Sequence, residues 1–211
     1  MSTDQGYLLI VEDDPDIRKL LNTTLTFKGF RVITAQNGKE ALDIIRAECP
    51  RMVIADIMMP QLDGFGLVHR LRIDPETRGV PVVFISATYV SSDDREFALK
   101  IGVTRFLQKP VDLERLLKTI SELLERDVHT AIPPMDEARF YEGYRKRLEI
   151  KLDQKIKQIA REEHLLGLPA NADNEDIQIS LRHAIYERDE LQSLLEQIHI
   201  QMEKITRQSN N

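Results

Sequence analysis

The N-terminal part of the chain alternates short apolar runs with longer segments whose apolar residues recur every three or four positions. This alternation predicts buried parallel strands separated by amphipathic helices. The predicted strands are Tyr7–Val11, Phe30–Ala35, Met52–Asp56, Val80–Ser86 and Arg105–Gln108. The predicted helices are Asp14–Phe27, Asn37–Ala47, Asp63–Arg72, Ser91–Ile101 and Asp112–Arg126. Right-handed crossovers then give an α/β fold, a doubly wound five-stranded parallel sheet of strand order 2-1-3-4-5.

The C-terminal part has a different pattern, which begins after Ile132-Pro133-Pro134. Two prolines cannot continue a helix, so we place a proline-containing linker at 127–135, between an α/β domain at 1–126 and an all-α region at 136–211. In that region, apolar residues predict one long helix over 136–166 and a second over 174–207, folded as an antiparallel helical hairpin or coiled coil. The first helix carries a row at Phe140, Tyr144, Leu148, Leu152, Ile156, Ile159 and Leu166. The second carries a heptad seam at Ile177, Leu181, Ala184, Arg188, Leu191, Leu195, Ile198, Met202 and Ile205.

Further apolar residues of the hairpin lie outside these two rows. They are Tyr141, Ile150, Leu165, Ile179, Ile185, Leu194 and Ile200. A lone pair of helices would leave them exposed, whereas two hairpins paired as a four-helix bundle would cover them. We therefore expect a homodimer through the C-terminal helices. The alternative is a hairpin that docks on its own N-terminal domain.

Four of the predicted strands end in residues that can take part in chemistry. These residues are Glu12, Asp13 and Asp14 after the first strand, Asp56 after the third, Ser86 after the fourth and Lys109 after the fifth. The carboxyl ends of parallel strands share one edge of a sheet, where open α/β sheets bind ligands. Crowded carboxylates need a cation, and hard oxygen donors suit Mg²⁺. With the metal bound, Asp56 could attack a phosphoryl group whose charge Lys109 helps to neutralise.

These residues resemble the receiver domain of two-component response regulators, a flavodoxin-like fold, over roughly the first 125 positions. The matching segments are Val11–Pro15, Ala55–Pro60 with Asp63-Gly64, Ile85–Ala87 and Phe106–Pro110. The resemblance implies that Asp56 is the phosphoacceptor, that Asp13 binds Mg²⁺ directly, and that Glu12 does so through water. It also implies that the Met58 carbonyl is a metal ligand and that Lys109 and Ser86 contact the phosphoryl group.

The same resemblance implies further roles. Ile57 and Ala87 would bind the phosphate, and Phe106 would be the aromatic switch whose rotamer follows Ser86. A sensor histidine kinase would supply the phosphoryl group, and the protein would catalyse only its own phosphorylation and dephosphorylation. Asp14, just before Pro15, suits a helix N-cap better than a ligand. The output would be the C-terminal helices, acting in dimerisation or on a downstream protein.

Composition narrows the function classes. The chain is 42% hydrophobic and 30% charged with a formal net charge of −6, which is typical of a soluble protein and argues mildly against a nucleic-acid partner such as DNA. The single cysteine, Cys49, excludes an internal disulfide. The chain has neither a basic n-region nor an apolar run approaching the ~20 residues of a membrane span, so we expect a cytoplasmic protein.

Three alternatives remain open for the output. The helices could belong to a scaffold that works without phosphorylation. The basic stretch from Arg145 to Arg161 could bind RNA, as in antiterminator outputs, although a solvated helix face explains it better. His164, five residues before Pro169, resembles the phosphorylated histidine of kinase dimerisation domains and could act in phosphotransfer. However, Leu165 stands where those domains have an acid. The sequence does not identify the cognate kinase, the downstream target or the effect of phosphorylation on a dimer.

Overall fold

The N-terminal unit is built on one parallel sheet. The computed structural model describes residues 6–86, 92–125, 135–169 and 173–209. The strands are β1 (Leu8–Val11), β2 (Val32–Ala35), β3 (Met52–Asp56), β4 (Val82–Ser86) and β5 (Arg105–Gln108). They pair in parallel in the order β2-β1-β3-β4-β5, which confirms the predicted fold class.

Helices cover both faces of this sheet. They are α1 (Pro15–Phe27), α2 (Gly38–Ala47), α3 (Gly64–Ile73), α4 (Ser92–Lys100) and α5 (Leu113–Glu125). On one face, Leu21 and Leu25 of α1 and Ile120 of α5 join a buried core with alternate strand residues such as Ile10. On the other, the Phe65 ring of α3 lies 5.6 Å from Phe84 of β4 and 5.5 Å from Phe97 of α4. Alternation of side chains along each strand thus supplies two separate cores.

Two strands begin two residues later than their apolar runs predict. The Phe30 N–H donates to the Leu25 carbonyl at 3.1 Å, across Gly29 at a φ of 89°, so Phe30 still belongs to the turn that ends α1. The Val80 N–H donates to the Thr77 carbonyl at 2.9 Å, and Pro81 has no N–H to give to the sheet. Local turn hydrogen bonds therefore delay β2 and β4.

The C-terminal unit, Glu137–Asn211, is a pair of long helices. They are α6 (Glu137–Leu166) and α7 (Glu175–Ser209). The helices are antiparallel, because Ser180 near the start of α7 contacts Glu162 near the end of α6, while Lys155 pairs with Glu187 further along. The predicted linker, 127–135, lies outside the described residues except for Met135.

The predicted apolar row of α6 does not face α7 along its whole length. Phe140, Tyr144 and Leu148 are buried, whereas Ile156 is 48% exposed. Each step of four residues rotates the row by about 40° around the helix, so four steps carry it about 160° from its starting side. Ile156 therefore lies largely outside the contact between the two helices.

In α7, polar neighbours of two predicted seam positions also contact α6. Ser180 and Glu187 make a hydrogen bond and an ion pair to α6, and the following residues, Leu181 and Arg188, are partly buried. Ala184, Leu191 and other members of the seam are buried as predicted. Heptad spacing gives the period of the contact, but it leaves a choice between neighbouring positions.

Among the described residues, none of the helices is both long and apolar enough to cross a membrane.

His69 in α3 gives a testable pH effect on stability. Burial of the imidazole, with the nearby Arg70 charge, lowers the pKa of His69 from 6.5 to about 4. Between these values the unfolded chain binds a proton that the folded protein does not, so folding stability contributed by this group is lost as the pH falls from 6.5 to 4. Urea unfolding of the wild type and His69→Gln should show a difference in unfolding free energy that shrinks by about 3 kcal/mol over this range. A difference that does not change with pH would contradict a buried neutral His69.

Candidate functional site

Three carboxylates and one ammonium group meet at the C-terminal edge of the sheet. Glu12 and Asp13 follow β1, Asp56 ends β3, and Lys109 follows β5. Carboxylate oxygens of the three acids all lie within 4.8 Å of one another. The Lys109 Nζ donates to Glu12 Oε1 at 2.9 Å and to Asp56 Oδ2 at 3.0 Å. The structure thus brings together four residues that are far apart in the sequence.

The backbone around Glu12 and Asp13 is fixed by the start of α1. Asp14 is the N-cap of this helix, because its Oδ1 accepts hydrogen bonds from the N–H groups of Asp16 and Ile17 at 2.9 and 3.0 Å. Its carboxylate therefore serves the helix, as predicted, rather than the acidic cluster. Pro15 follows at the first helical position, where its missing N–H costs no hydrogen bond.

Arg18 is a positioning residue that the sequence analysis missed. Its guanidinium Nη1 donates to the backbone carbonyls of Glu12 at 2.6 Å and Asp13 at 3.0 Å. The side chain thus ties the acidic turn back to the first turns of α1. The only signal in the sequence is an arginine shortly after the acidic cluster, and that spacing alone does not indicate a backbone contact.

The electrostatics of the cluster favour an additional positive charge. Glu12 is 1% exposed. Burial, with repulsion from Asp56, raises the pKa of Glu12 to about 7 despite its hydrogen bond to Lys109. Burial also raises the pKa of Asp56, while Lys109 opposes this in part. Burial alone would lower the pKa of Lys109, but Asp56 and Glu12 more than offset it and leave that pKa raised.

One ammonium group therefore serves two buried carboxylates, and a third carboxylate lies beside them. Glu12, Asp13 and Asp56 offer hard oxygen donors at a spacing that can hold one divalent cation. Such a cation would oppose the raised pKa of Glu12, because it would neutralise the charge of Asp56, which adds to the effect of burial. The donor set fits magnesium on these grounds.

The residues expected to contact a phosphate lie around Asp56. The Ile57 N–H donates to Asp56 Oδ1 at 2.7 Å, and Met58 follows in the loop between β3 and α3. Ser86 is buried at the end of β4, and its carbonyl accepts a hydrogen bond from the Lys109 N–H at 2.8 Å. The next peptide bond, Lys109–Pro110, is cis. Ala87, the other expected phosphate contact, lies outside the described residues.

Phe106 occupies a half-buried place on β5, next to the site but not in it. It pairs with Phe84 in the sheet register, and the two rings meet edge to face with centroids 5.5 Å apart. Ser86 lies two residues further along β4, opposite Gln108. The Phe106 ring and the Ser86 hydroxyl thus lie on neighbouring strands near the same edge of the sheet. Phe106 is two positions further from that edge than Ser86.

The start of α3 lies directly against Asp56. Asp63 is fully buried as the N-cap of α3, and its Oδ1 accepts the Gly66 N–H at 2.8 Å. The Gly64 N–H donates to the Ile57 carbonyl at 2.8 Å. A Cβ on Gly64 would lie 2.6 Å from the Asp56 carbonyl oxygen, which is closer than any real side chain approaches. Glycine is therefore required here by the close approach of two backbones.

Comparison with known proteins agrees with this geometry. Residues 8–121 match the family model described as response regulator receiver domain, which ends before the C-terminal hairpin. The chain is 39% identical over 126 residues to the probable transcriptional regulator ycf27 of Porphyra purpurea, covering 60% of this chain and 50% of that protein. It is 34% identical over 145 residues to the response regulator Rre1 of a Synechocystis strain, covering 68% of this chain and 62% of that protein.

A solved structure shows the same fold in the N-terminal unit. The signal receiver domain of a signal transduction histidine kinase from Syntrophus aciditrophicus is 30% identical with a TM-score of 0.54, covering 57% of this chain and 91% of that one. The chain spans about half the length of the ycf27 relative, so the likeness concerns the receiver and not the output. The family match spans more than half of the sequence, includes Glu12, Asp13, Asp56 and Lys109, and coincides with the predicted sheet order. This chain therefore belongs to the response regulator receiver domain family of two-component systems.

Proposed function

We propose that this protein accepts a phosphoryl group on Asp56 from a sensor histidine kinase and uses it to switch a helical output. The observation that carries the proposal is the placement of the Asp56 carboxylate, which lies 3.0 Å from the Lys109 ammonium and beside the carboxylates of Glu12 and Asp13. A nucleophile next to a cation and a metal-binding donor set is what phosphoryl transfer requires, because this reaction depends mainly on positioning and charge neutralisation.

In the proposed reaction, a carboxylate oxygen of Asp56 forms a bond to phosphorus while the bond from phosphorus to the donor breaks. The product is an acyl phosphate on Asp56. Lys109 neutralises charge on the phosphoryl oxygens, and the N–H groups of Ile57 and Ala87 with the Ser86 hydroxyl bind those oxygens. Asp13, Asp56 and the Met58 carbonyl would hold magnesium directly, with Glu12 doing so through water, and the ion would supply further charge neutralisation. Beyond this self-modification, we propose no enzymatic activity.

The proposed switch couples the phosphate to the face formed by α4 and β5. A phosphate on Asp56 would draw the Ser86 hydroxyl toward it, and Phe106 would then move into the space that this residue leaves. The half-buried position of Phe106, packed on Phe84, supports this proposal, because a ring at the edge of the core can change its rotamer without unfolding it. The surface expected to repack is 88–100, of which 88–91 lie outside the described residues.

We propose that the output is a protein contact made by α6 and α7, including a homodimer, and not DNA binding. Residues 127–211 carry 12 Lys and Arg against 16 Asp and Glu, so this part is net acidic, which disfavours a phosphate backbone as its partner. Several large apolar side chains of the hairpin, among them Ile150, Ile156, Ile179 and Ile200, are about half exposed in a single chain, which supports association. A cytoplasmic location, which the sequence led us to expect, is part of the same proposal.

Uptake of phosphate from a small donor tests the proposed function. The full-length protein incubated with acetyl phosphate and millimolar magnesium should gain one phosphate per chain, measured by intact mass. Replacing magnesium by EDTA should slow this uptake at least about 100-fold, because the cluster then keeps its excess negative charge and repels the donor. Uptake at the same rate in EDTA, or none with magnesium, would favour a scaffold that works without phosphorylation.

A further inference from the structure

The two halves of the C-terminal hairpin distribute polar and apolar residues in opposite ways. In the half away from the turn, buried apolar and aromatic side chains fill the contact between the helices, for example Tyr144 and Leu148 of α6 and Leu191 and Ile198 of α7. In the half next to the turn, Ile159 and Ala184 are buried, but they share the contact with the buried Glu162 and with partly buried polar side chains. The turn-proximal half therefore has a smaller apolar core than the other half.

Hydrogen bonds and ion pairs connect the polar residues of the turn-proximal half into one network. We call these residues the polar seam: Lys155, Gln158 and Glu162 of α6 with Ser180 and Glu187 of α7. The Lys155 ammonium pairs with Glu187 across the helices and donates to Gln158 Oε1 at 3.1 Å. Glu162 Oε1 accepts from Gln158 Nε2 at 3.0 Å and from Ser180 Oγ at 2.8 Å.

The polar seam fixes which faces of the two helices meet. Glu162 is only 6% exposed, and its partners come from both helices. Rotating either helix to bring apolar residues inward would break the Ser180 hydrogen bond to this buried carboxylate and the Lys155–Glu187 ion pair, which is costly. The helices are therefore held with their polar residues between them.

Six apolar residues of the same half lie on one side of the hairpin. We call them the apolar stripe: Leu152, Ile156 and Leu166 of α6 with Ile177, Leu181 and Ile185 of α7. Ile179 and Tyr186 each precede a polar-seam residue and lie on the opposite side. Ile156 and Leu181 each directly follow a polar-seam residue, and in an antiparallel pair the positions that follow the contact lie on the same side of both helices. Ile156 is 48% exposed, and the other five side chains are partly exposed.

We propose that the apolar stripe is a self-association surface that packs against the apolar stripe of a second copy of this chain. This inference rests on the proposed helical output and specifies where its two copies meet. Two such hairpins stacked face to face form a four-helix bundle whose core consists of the two stripes. The polar seam then orients the helices within each chain, and the stripes supply the hydrophobic contact between chains.

Charge and area both favour a second copy as the occupant. Arg188 borders the stripe, but its guanidinium already pairs with Asp189 of the same helix at 2.6 Å, so two stripes can approach without opposing unpaired positive charges. The stripe extends over about 20 Å of a two-helix surface. Covering it on both chains would bury about 1,000 Å² in total, near the lower limit for a specific interface. The dimer should therefore depend on concentration in the micromolar range.

Two isoleucines of α6 provide a matched pair of variants. Ile156 and Ile150 are each 48% exposed, so glutamate at either position should leave the single chain folded. They differ in direction, because Ile150 lies about 120° around the helix from Ile156, outside the stripe. The proposal thus departs from the expectation, based on the sequence, that the bundle covers Ile150. Sedimentation velocity of the full-length protein from about 1 to 100 μM measures association.

The wild type and Ile150→Glu should dimerise with similar dissociation constants, whereas Ile156→Glu should raise the dissociation constant at least about tenfold, since two-fold symmetry places the charge in the interface twice. Circular dichroism checks that the helices persist, and Ile185→Glu on α7 replaces Ile156→Glu if they do not. A wild type that stays monomeric throughout, or equal weakening by both α6 variants, would overturn the proposal. Phosphate uptake by Asp56 does not depend on the stripe, so loss of uptake with an intact dimer would refute the proposed function instead.

Discussion

We expect Asp56→Asn to reduce phosphate uptake from acetyl phosphate to background, while the protein remains folded. The amide has nearly the shape of the carboxylate but is not a nucleophile toward phosphorus, so the acyl phosphate cannot form. The amide oxygen can still accept the Ile57 N–H, and Lys109 keeps Glu12 as its partner at 2.9 Å. Because burial already raises the pKa of Asp56, removing its charge relieves a crowded cluster, and we expect thermal stability equal to or above that of the wild type.

Asp43→Asn provides the matched control for this experiment. Asp43 is an exposed aspartate in the middle of α2, and its carboxylate pairs with Arg46 on the same helix. The same chemical change there should leave both the uptake rate and the melting temperature unchanged, since exposed pairs of this kind contribute little. Persistent uptake in the Asp56→Asn protein would mean that another residue accepts the phosphate.

The second large effect concerns Lys109. We expect Lys109→Met to slow phosphate uptake by about 100- to 1,000-fold, because the phosphoryl group loses a cation preorganised beside the nucleophile. The Lys109 side chain is 10% exposed and its partner Glu12 2%, so the variant also leaves buried carboxylates without their ammonium partner. We expect a loss of stability of about 2–4 kcal/mol at pH 8.

The pH dependence of that loss gives the Lys109 prediction a separate check. The pKa of Glu12 is already about 7, and loss of Lys109 would raise it further, so this carboxyl group can bind a proton at pH 6. The destabilisation by Lys109→Met should therefore be smaller at pH 6 than at pH 8. Lys100→Met, which removes an exposed lysine paired with Glu96, controls for loss of charge alone. Urea unfolding and the rate of phosphate uptake are measured for both variants. Equal losses of stability and of uptake rate in the two variants would refute a special role for Lys109.

The sequence was sufficient to predict the architecture of the N-terminal unit. It also predicted that the charged residues of the site meet at one edge of the sheet. Local patterns identify strands and helices, and one general rule then brings Glu12, Asp56 and Lys109 to one edge, because parallel strands end on the same side of a sheet. Asp14 could be assigned to helix capping for the same kind of reason, since capping depends only on neighbouring residues. Interactions that follow from the direction of a strand or from adjacent residues are therefore predictable.

Contacts that depend on how an element is rotated or how a side chain turns back could not be predicted. Arg18 reaches two backbone carbonyls behind it in the sequence, and no periodicity encodes that. In the hairpin, Leu181 and Ser180 are one residue, about 100°, apart, and the sequence pattern favoured the apolar one for the contact. The structure also places Ser180 in the contact, where its hydroxyl donates to Glu162. A polar network between the helices thus adds contacts that the apolar pattern does not encode.

The close approach of Gly64 to Asp56 couples the mobility of a helix to the placement of a nucleophile. With one backbone hydrogen bond joining Gly64 to Ile57, and no room for even a methyl group against the Asp56 carbonyl, neither backbone can shift by a few tenths of an ångström without displacing the other. A force applied to the outer surface of α3 would therefore reach the phosphoacceptor through direct contact, with no intervening side chain to absorb it. The first turn of α3 and the end of β3 therefore move as one rigid unit.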